Sequence, residues 1–116
     1  MRLILPLVLC CLAAPLRADP PEVVRAEASR SSTGWTVSVT LAHPDTGWDH
    51  YADGWRGETE DGTVLGLRDL VHPHETEQPF TRSLHGVDLP TRGAVYIRAR
   101  CLVDGWSEER YPLTLD

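Results

Sequence analysis

Four of the five histidines lie in two short stretches of the sequence, and acidic residues accompany them. His43 and His50 belong to the stretch from position 42 to 50, and His72 and His74 to that from 72 to 79. Imidazole nitrogens suit copper and zinc, and carboxylates can complete or orient such a ligand shell. The sequence therefore predicts a copper or zinc site with these candidate residues: His43, His50, His72, His74, Asp45, Asp49 and Glu75.

The spacing of these histidines is less specific than that of the compact zinc motifs. His72 and His74 flank a proline, and an extended backbone would send their rings to opposite faces. The same side chains could instead cap strands, bond loop backbone, or serve in acid–base or pH-sensing roles. These alternatives stay open.

Cys101 lies on the inward phase of an alternating segment, which favours a small buried hydrophobic residue. Cu(I) prefers thiolate or thioether ligands, but no methionine follows Met1 and the other cysteines fall in the N-terminal leader described below, so a methionine-rich copper carrier is excluded. A site formed by Cys101 with two histidines remains an alternative.

Aromatic residues accompany the histidine-containing stretches. Trp48 and Trp106 fall in predicted loops, and together with Tyr51 they are candidates for contact with a ligand or a partner. Stacking on these rings, with Asp45 and Asp104 as hydrogen-bond acceptors, would suit a carbohydrate or another small ligand. A protein–protein interaction module of the cell envelope is a further alternative.

Catalytic arrangements are poorly supported by the sequence. Cys101 with a loop histidine, or Ser107 beside Glu108, could imitate a nucleophile set, but neither occurs in a recognisable nucleophile elbow or near an oxyanion hole. We therefore expect a protein without enzymatic activity and assign no catalytic residue.

The elements that must position these residues are strands. Alternation of apolar and polar residues, with turn residues between the segments, predicts seven strands and no helix. The predicted strands are Glu22 to Ala28, Trp35 to Leu41, Tyr51 to Glu58, Val64 to Val71, Phe80 to His85, Val95 to Val103 and Arg110 to Leu115. This pattern predicts an all-β domain, a seven-stranded immunoglobulin-like or fibronectin type III-like antiparallel sandwich.

Alternate connections of such a sandwich lie at opposite ends. The second, fourth and sixth loops would then share one end, and these loops hold His43, His50, His72, His74 and Trp106. Because loops on a rigid sandwich commonly carry function, this end is the predicted site.

The N-terminal residues are typical of a secretory signal peptide: Arg2 is followed by a short apolar run that is too brief to span a bilayer. We expect cleavage after Ala18, so that residues 1–18 are the signal peptide and 19–116 a single β-sandwich domain. A lipid anchor at Cys10 or Cys11 is disfavoured because Leu9 and Cys10 precede them in place of the usual small residue. The mature chain contains no predicted transmembrane segment.

Export and charge narrow the function. Without Arg2 and Arg17 the chain keeps nine arginines and no lysine against 17 acidic residues, a net charge of −8. Nucleic acid is therefore an improbable partner, because phosphate binding needs clustered cations. We expect a periplasmic or secreted binding protein, and an envelope protein is its candidate partner.

A run from His43 to Trp55, followed by the His72-Pro73-His74-Glu75 segment and by residues 78 to 82, resembles small exported proteobacterial proteins. No function is established for that group. The resemblance implies export and a bacterial origin, and no particular site.

Overall fold

The computed structural model describes residues 20–115, which form nine β-strands and no helix. The strands are β1 (Glu22–Ser31), β2 (Gly34–Ala42), β3 (Ala52–Thr59), β4 (Val64–Asp69), β5 (Phe80–Val87), β6 (Val95–Cys101), β7 (Gly105–Trp106), β8 (Tyr111–Pro112) and β9 (Thr114–Leu115). The predicted all-β class is confirmed. The predicted signal peptide lies outside the described residues.

The strands form two sheets. The first has the order β5-β2-β1-β9, and the second has the order β4-β3-β6-β7, with β8 also paired to β6. All pairs are antiparallel except β1 with β9. The immunoglobulin-like assignment stays a prediction.

The predicted number of seven strands is wrong for the described residues, and the difference arises near the C-terminus. Gly105–Trp106 folds back on β6 as an additional strand. The predicted last strand divides at buried Leu113, because Tyr111–Pro112 pairs with β6 of the second sheet whereas Thr114–Leu115 pairs with β1 of the first. The chain therefore changes sheets inside one predicted element.

The core lies between the two sheets and follows from the alternation. Val37, Val39 and Leu41 of β2 are buried, and Trp55 of β3 and Ile97 of β6 belong to the same hydrophobic cluster. Burial of one such side chain stabilises a protein by about 1.5–3 kcal/mol relative to its exposure. With Cys101 as the sole, free cysteine of the described residues, this packing holds the sandwich without an internal disulfide.

Three connections meet at one end of the sandwich, which we call the loop pole: residues 43–51, 70–79 and 102–104. Residues 43–51 join β2 of the first sheet to β3 of the second. Ala52, at the start of β3, is in register with Cys101, at the end of β6. Leu41 pairs with Phe80, which brings the 70–79 connection to the same end. The register of these strands therefore brings the three connections together.

Candidate metal centre

His43, His50 and Cys101 come together at the loop pole. Each offers one ligand atom, and these three atoms lie within 4.8 Å of one another. His43 and Cys101 are buried and His50 is half-buried. Two imidazoles and a thiol at this separation could hold a transition-metal ion.

Asp45 fixes the orientation of His43. The carboxylate Oδ1 of Asp45 lies 2.6 Å from Nδ1 of His43, and both side chains are fully buried. A histidine ligand commonly bonds a carboxylate through one ring nitrogen while the other binds the metal, and this bond fixes the tautomer and the ring plane. Asp45 is thus placed to orient the ligand through an outer hydrogen bond.

The Asp45 carboxylate is itself held by the backbone. Its Oδ1 accepts a hydrogen bond from the amide of Ala52 at 3.0 Å, and its Oδ2 accepts one from the amide of His74 at 2.7 Å. The local turn, in which the Asp45 amide donates to the His43 carbonyl at 2.8 Å, aims the side chain inward. One acidic residue thereby connects the loops 43–51 and 70–79.

His50 is presented by a tight turn. Its amide donates to the Gly47 carbonyl at 3.2 Å, and its own carbonyl accepts from the Thr46 amide at 3.0 Å. Gly47 has a φ of +137°, a backbone conformation that residues with a Cβ rarely adopt. The His50 ring is then edge-on to that of His43, with centroids 4.9 Å apart, and its buried Nε2 has no hydrogen-bond partner.

Cys101 ends β6 and is completely buried. Burial raises the pKa of its thiol, whereas hydrogen bonds from the backbone amides of Asp104 and Val103 act in the opposite direction; the balance lies above the usual value. Asp104 also approaches the thiol, and its negative charge adds to the rise. The buried thiol therefore keeps its proton until a cation replaces it.

His74 is buried at the loop pole and does not belong to the group of three. Its Nε2 accepts a hydrogen bond from Arg82 at 2.8 Å, and its ring stacks on Phe80 with centroids 3.8 Å apart. Burial, the Arg82 charge and then His72 lower its pKa. The His74 backbone amide, rather than its ring, bonds Asp45, and the ring Nδ1 is buried without a hydrogen-bond partner.

The other predicted metal ligands lie nearer the surface. His72 is exposed, with Nδ1 3.2 Å from the carbonyl oxygen of Pro73, and its ring is 4.5 Å from that of His74. Asp49 and Glu75 are exposed. The group of three contains none of these residues, and their role as metal ligands stays a prediction.

For Cys101, the sequence favoured the role of a small buried hydrophobic residue, with a site formed by this cysteine and two histidines as the alternative. Its inward direction is as predicted, but the sequence does not give the register that brings Ala52 opposite it. The available signal was its position at the end of a strand that leads into the sixth loop.

The three predicted contact residues occupy two surfaces. Trp48 is 66% exposed, and its ring packs edge-on against Tyr51 with centroids 5.9 Å apart. Trp106 pairs with Arg100, the residue before Cys101 on β6, so its side chain lies on the opposite face of the sheet from the thiol. Only Trp48 and Tyr51 therefore border the loop that holds His43 and His50.

Comparisons with known proteins are sparse. No family model matches the sequence. A putative lipoprotein of Halomicrobium mukohataei is 59% identical over 46 residues, which cover 40% of this chain and only 22% of that protein. The resemblance to proteobacterial proteins is contradicted, because this relative comes from a halophilic archaeon.

The fold is similar to three structures of superoxide reductase (neelaredoxin) from Ignicoccus hospitalis, two of them substituted forms. The highest TM-score is 0.49, at 20% identity, covering 84% of this chain and 81% of that chain; the other two have TM-scores of 0.46. Our prediction of a protein without enzymatic activity is contradicted by this comparison, because all three are enzymes. Within residues 20–115, no helix is long and apolar enough to cross a membrane.

Proposed function

We propose that this protein is an exported metal-binding protein that holds one transition-metal ion through His43, His50 and Cys101. The observation that carries the proposal is the convergence of their three ligand atoms within 4.8 Å. Asp45 bonds Nδ1 of His43, so the metal would bind Nε2 of that ring. The buried Nε2 of His50 lacks a hydrogen-bond partner, and a metal ion would satisfy it.

The ligand types favour copper or zinc. Imidazole suits both ions, and a thiolate adds a soft ligand that hard cations such as Mg²⁺ and Ca²⁺ do not prefer. A trigonal set of two histidines and one cysteine is also the arrangement of copper sites that transfer electrons. Three protein ligands leave a position of a four-coordinate ion for water or a small molecule.

The site is proposed to act at the cell envelope. The N-terminal sequence predicts export, and the partial relative from Halomicrobium mukohataei is named as a putative lipoprotein. The periplasm as the particular compartment stays a prediction. Since the similar solved structures are named superoxide reductases, reduction of superoxide is the first turnover assay for the metal-loaded protein.

The test is a titration of the metal-free protein, residues 19–116, with Cu(II), Zn(II) and Co(II) under anaerobic conditions. We expect one ion per chain, and with Co(II) or Cu(II) a thiolate-to-metal absorption band. Cys101→Ser should abolish the band, and His43→Ala or His50→Ala should weaken binding strongly.

Two histidines serve as matched controls. His85→Ala removes an exposed ring whose Nδ1 lies 3.2 Å from the Thr36 hydroxyl on β2, and His72→Ala removes an exposed ring of the loop pole. Both variants should bind like the wild type. Binding that persists in Cys101→Ser and His50→Ala but is lost in His72→Ala would overturn the proposal.

A further inference from the structure

An apolar patch lies at the loop pole, next in sequence to two of the candidate ligands. We define it by four residues: Trp48, Tyr51, Leu102 and Val103. Trp48 is 66% exposed, Leu102 46% and Val103 63%. The Leu102 amide donates to the Tyr51 carbonyl at 3.0 Å, and the Tyr51 ring packs against Trp48, so the two loops that carry these residues meet at Tyr51.

The apolar patch is connected by sequence to two of the three candidate ligands. Tyr51 follows His50, and Leu102 follows Cys101. Clustered exposed apolar residues on a small protein commonly mark an interaction surface, whereas single ones do not. A partner bound to this patch would therefore contact residues that are direct sequence neighbours of two candidate ligands.

Three acidic residues adjoin the loops that carry the apolar patch. Asp49 follows Trp48 and Asp104 follows Val103, and the Glu75 carboxylate lies 3.6 Å from where a Cβ on Gly47 would be. Within residues 20–115, none of these three carboxylates forms an ion pair with an arginine or histidine. We call them the acidic rim.

Nearby arginines do not neutralise the acidic rim. Arg82 pairs with Glu77 and bonds His74, and Arg100 pairs with Asp53 and Asp69. Two copies of this chain would bring two acidic rims together, which the repulsion of like charges disfavours. The surface is complementary to an apolar centre surrounded by positive charge.

We infer that the loop pole docks a redox protein with a basic face and exchanges one electron with it. This inference rests on the proposed metal site. In the direction used for the test, a copper ion held by His43, His50 and Cys101 would lose one electron and be oxidised from Cu(I) to Cu(II). The acceptor metal of the partner is reduced by one unit, and no bond is made or broken.

The experiment uses the Cu(I)-loaded protein and oxidised mitochondrial cytochrome c, a basic haem protein, as the probe. Charge reversal by Asp49→Lys with Glu75→Lys should lower the second-order rate of haem reduction about tenfold at low ionic strength. The effect should shrink as salt screens the charges. The same double variant should react faster with ferricyanide, an anionic oxidant.

A matched double variant controls for net charge. Glu60→Lys with Asp88→Lys makes the same change at exposed positions that follow β3 and β5 at the opposite end of the sandwich. It should alter the cytochrome c rate by less than about twofold, since the reversed charges lie far from the docking surface. Trp48→Ser should slow cytochrome c but not ferricyanide. Equal slowing by the two double variants would overturn the inference.

Failure of the proposed function is distinguished by two measurements that precede the kinetics. Metal content reports whether the site loads at all. Association of the metal-free protein with cytochrome c, followed by NMR at low salt, reports docking without electron transfer. Docking lost in the Asp49 and Glu75 variant alone would support the surface even if copper did not bind. If the Asp49 and Glu75 variant loses neither NMR association nor reduction rate relative to its matched control, the docking surface is rejected.

Discussion

Two regions of this small sandwich bury ionisable side chains, and they treat them differently. On the second sheet, Glu58 is fully buried and its Oε2 accepts hydrogen bonds from Nε of Arg56 at 2.6 Å and Nε of Arg98 at 2.8 Å. Arg110 adds an ion pair to Oε1 at 3.6 Å. The negative charge of this Glu58 cluster is thus compensated within the protein.

Aromatic rings hold the arginines of that sheet in place. Arg56 and Arg100 lie over Trp106, at 4.0 and 4.9 Å from its ring centroid, and Arg110 lies 4.3 Å from the centroid of Tyr96. Cation–π contacts of this kind are worth about 0.5–1 kcal/mol each at exposed sites. The Glu58 Oε1 is buried without a hydrogen-bond partner, and the Arg110 ion pair compensates its charge.

At the loop pole, the group of His43, His50 and Cys101 includes no arginine. The His50 Nε2 is buried without a hydrogen-bond partner, and burial raises the pKa of the Cys101 thiol. A bound cation would partner these ligand atoms, whereas the Glu58 carboxylate already has three arginines paired to it. The comparison therefore separates a structural charge cluster from a candidate ligand site.

The largest effect is expected from Glu58→Gln. The three arginines lose their buried countercharge, and the free energy of unfolding should fall by about 3 kcal/mol. Urea denaturation at neutral pH measures it. Glu60→Gln, at an exposed position, should change stability by less than about 0.5 kcal/mol. A loss in Glu58→Gln no larger than in this control would contradict the structural role of the cluster.

Zinc should stabilise the loop pole. At a free Zn(II) concentration 100 times the dissociation constant, we expect the free energy of unfolding to rise by about 2.7 kcal/mol. Thermal denaturation with and without Zn(II) measures this. Glu58→Gln and His85→Ala should keep the full increase, whereas His50→Ala should lose it. An equal increase in His50→Ala would remove the distinction between the two regions.

Asp45→Asn tests the orientation of His43. An asparagine side chain has one oxygen and no charge, so it cannot replace both Asp45 oxygens in the bonds to the His43 ring and to two backbone amides. The His43 ring is then less well oriented, and zinc affinity should fall about 10- to 100-fold. Competition with a chelating dye measures the affinity, and circular dichroism of the metal-free variant reports its fold. Asp49→Asn, on the same loop, should bind zinc normally. Unchanged affinity in a folded Asp45→Asn would show that this hydrogen bond does not tune the ligand.

The two regions should also respond to acid over different pH ranges. Burial first, then Arg82, lower the pKa of His74 below 6.5, so its contribution to stability is complete above pH 6.5 and declines below it. Burial alone would raise the pKa of Glu58, but the hydrogen bonds from Arg98 and Arg56 outweigh burial and lower this pKa below 4.5. The Glu58 contribution is therefore complete above pH 4.5 and is lost as pH falls through its folded pKa.

Urea denaturation between pH 7 and 3 resolves these ranges. His74→Gln should flatten the decline that begins below pH 6.5, and Glu58→Gln should flatten the decline below pH 4.5. These are the smallest of the expected effects. Equal pH profiles for wild type and both variants would argue against the two shifts.

The sequence by itself determined the all-β class and two of the three residues of the candidate site, His43 and His50. Strict alternation at Val37, Val39 and Leu41 identifies β2, because one face of a strand must be buried while the other is wet. The same reasoning directs Cys101 inward, and loop counting places His43 and His50 at one end. These features are local, since each depends on residues near it in the chain.

Tertiary structure decided which side chains meet. The pairing of Ala52 with Cys101 joins a thiol to two histidines that lie 51 and 58 residues earlier in the chain. A strand-register change of one residue would turn that thiol to the other face. Likewise, Trp106 lies between arginines, away from the thiol, because it pairs with Arg100. Register and sheet exchange depend on long-range packing, which neither composition nor spacing specifies.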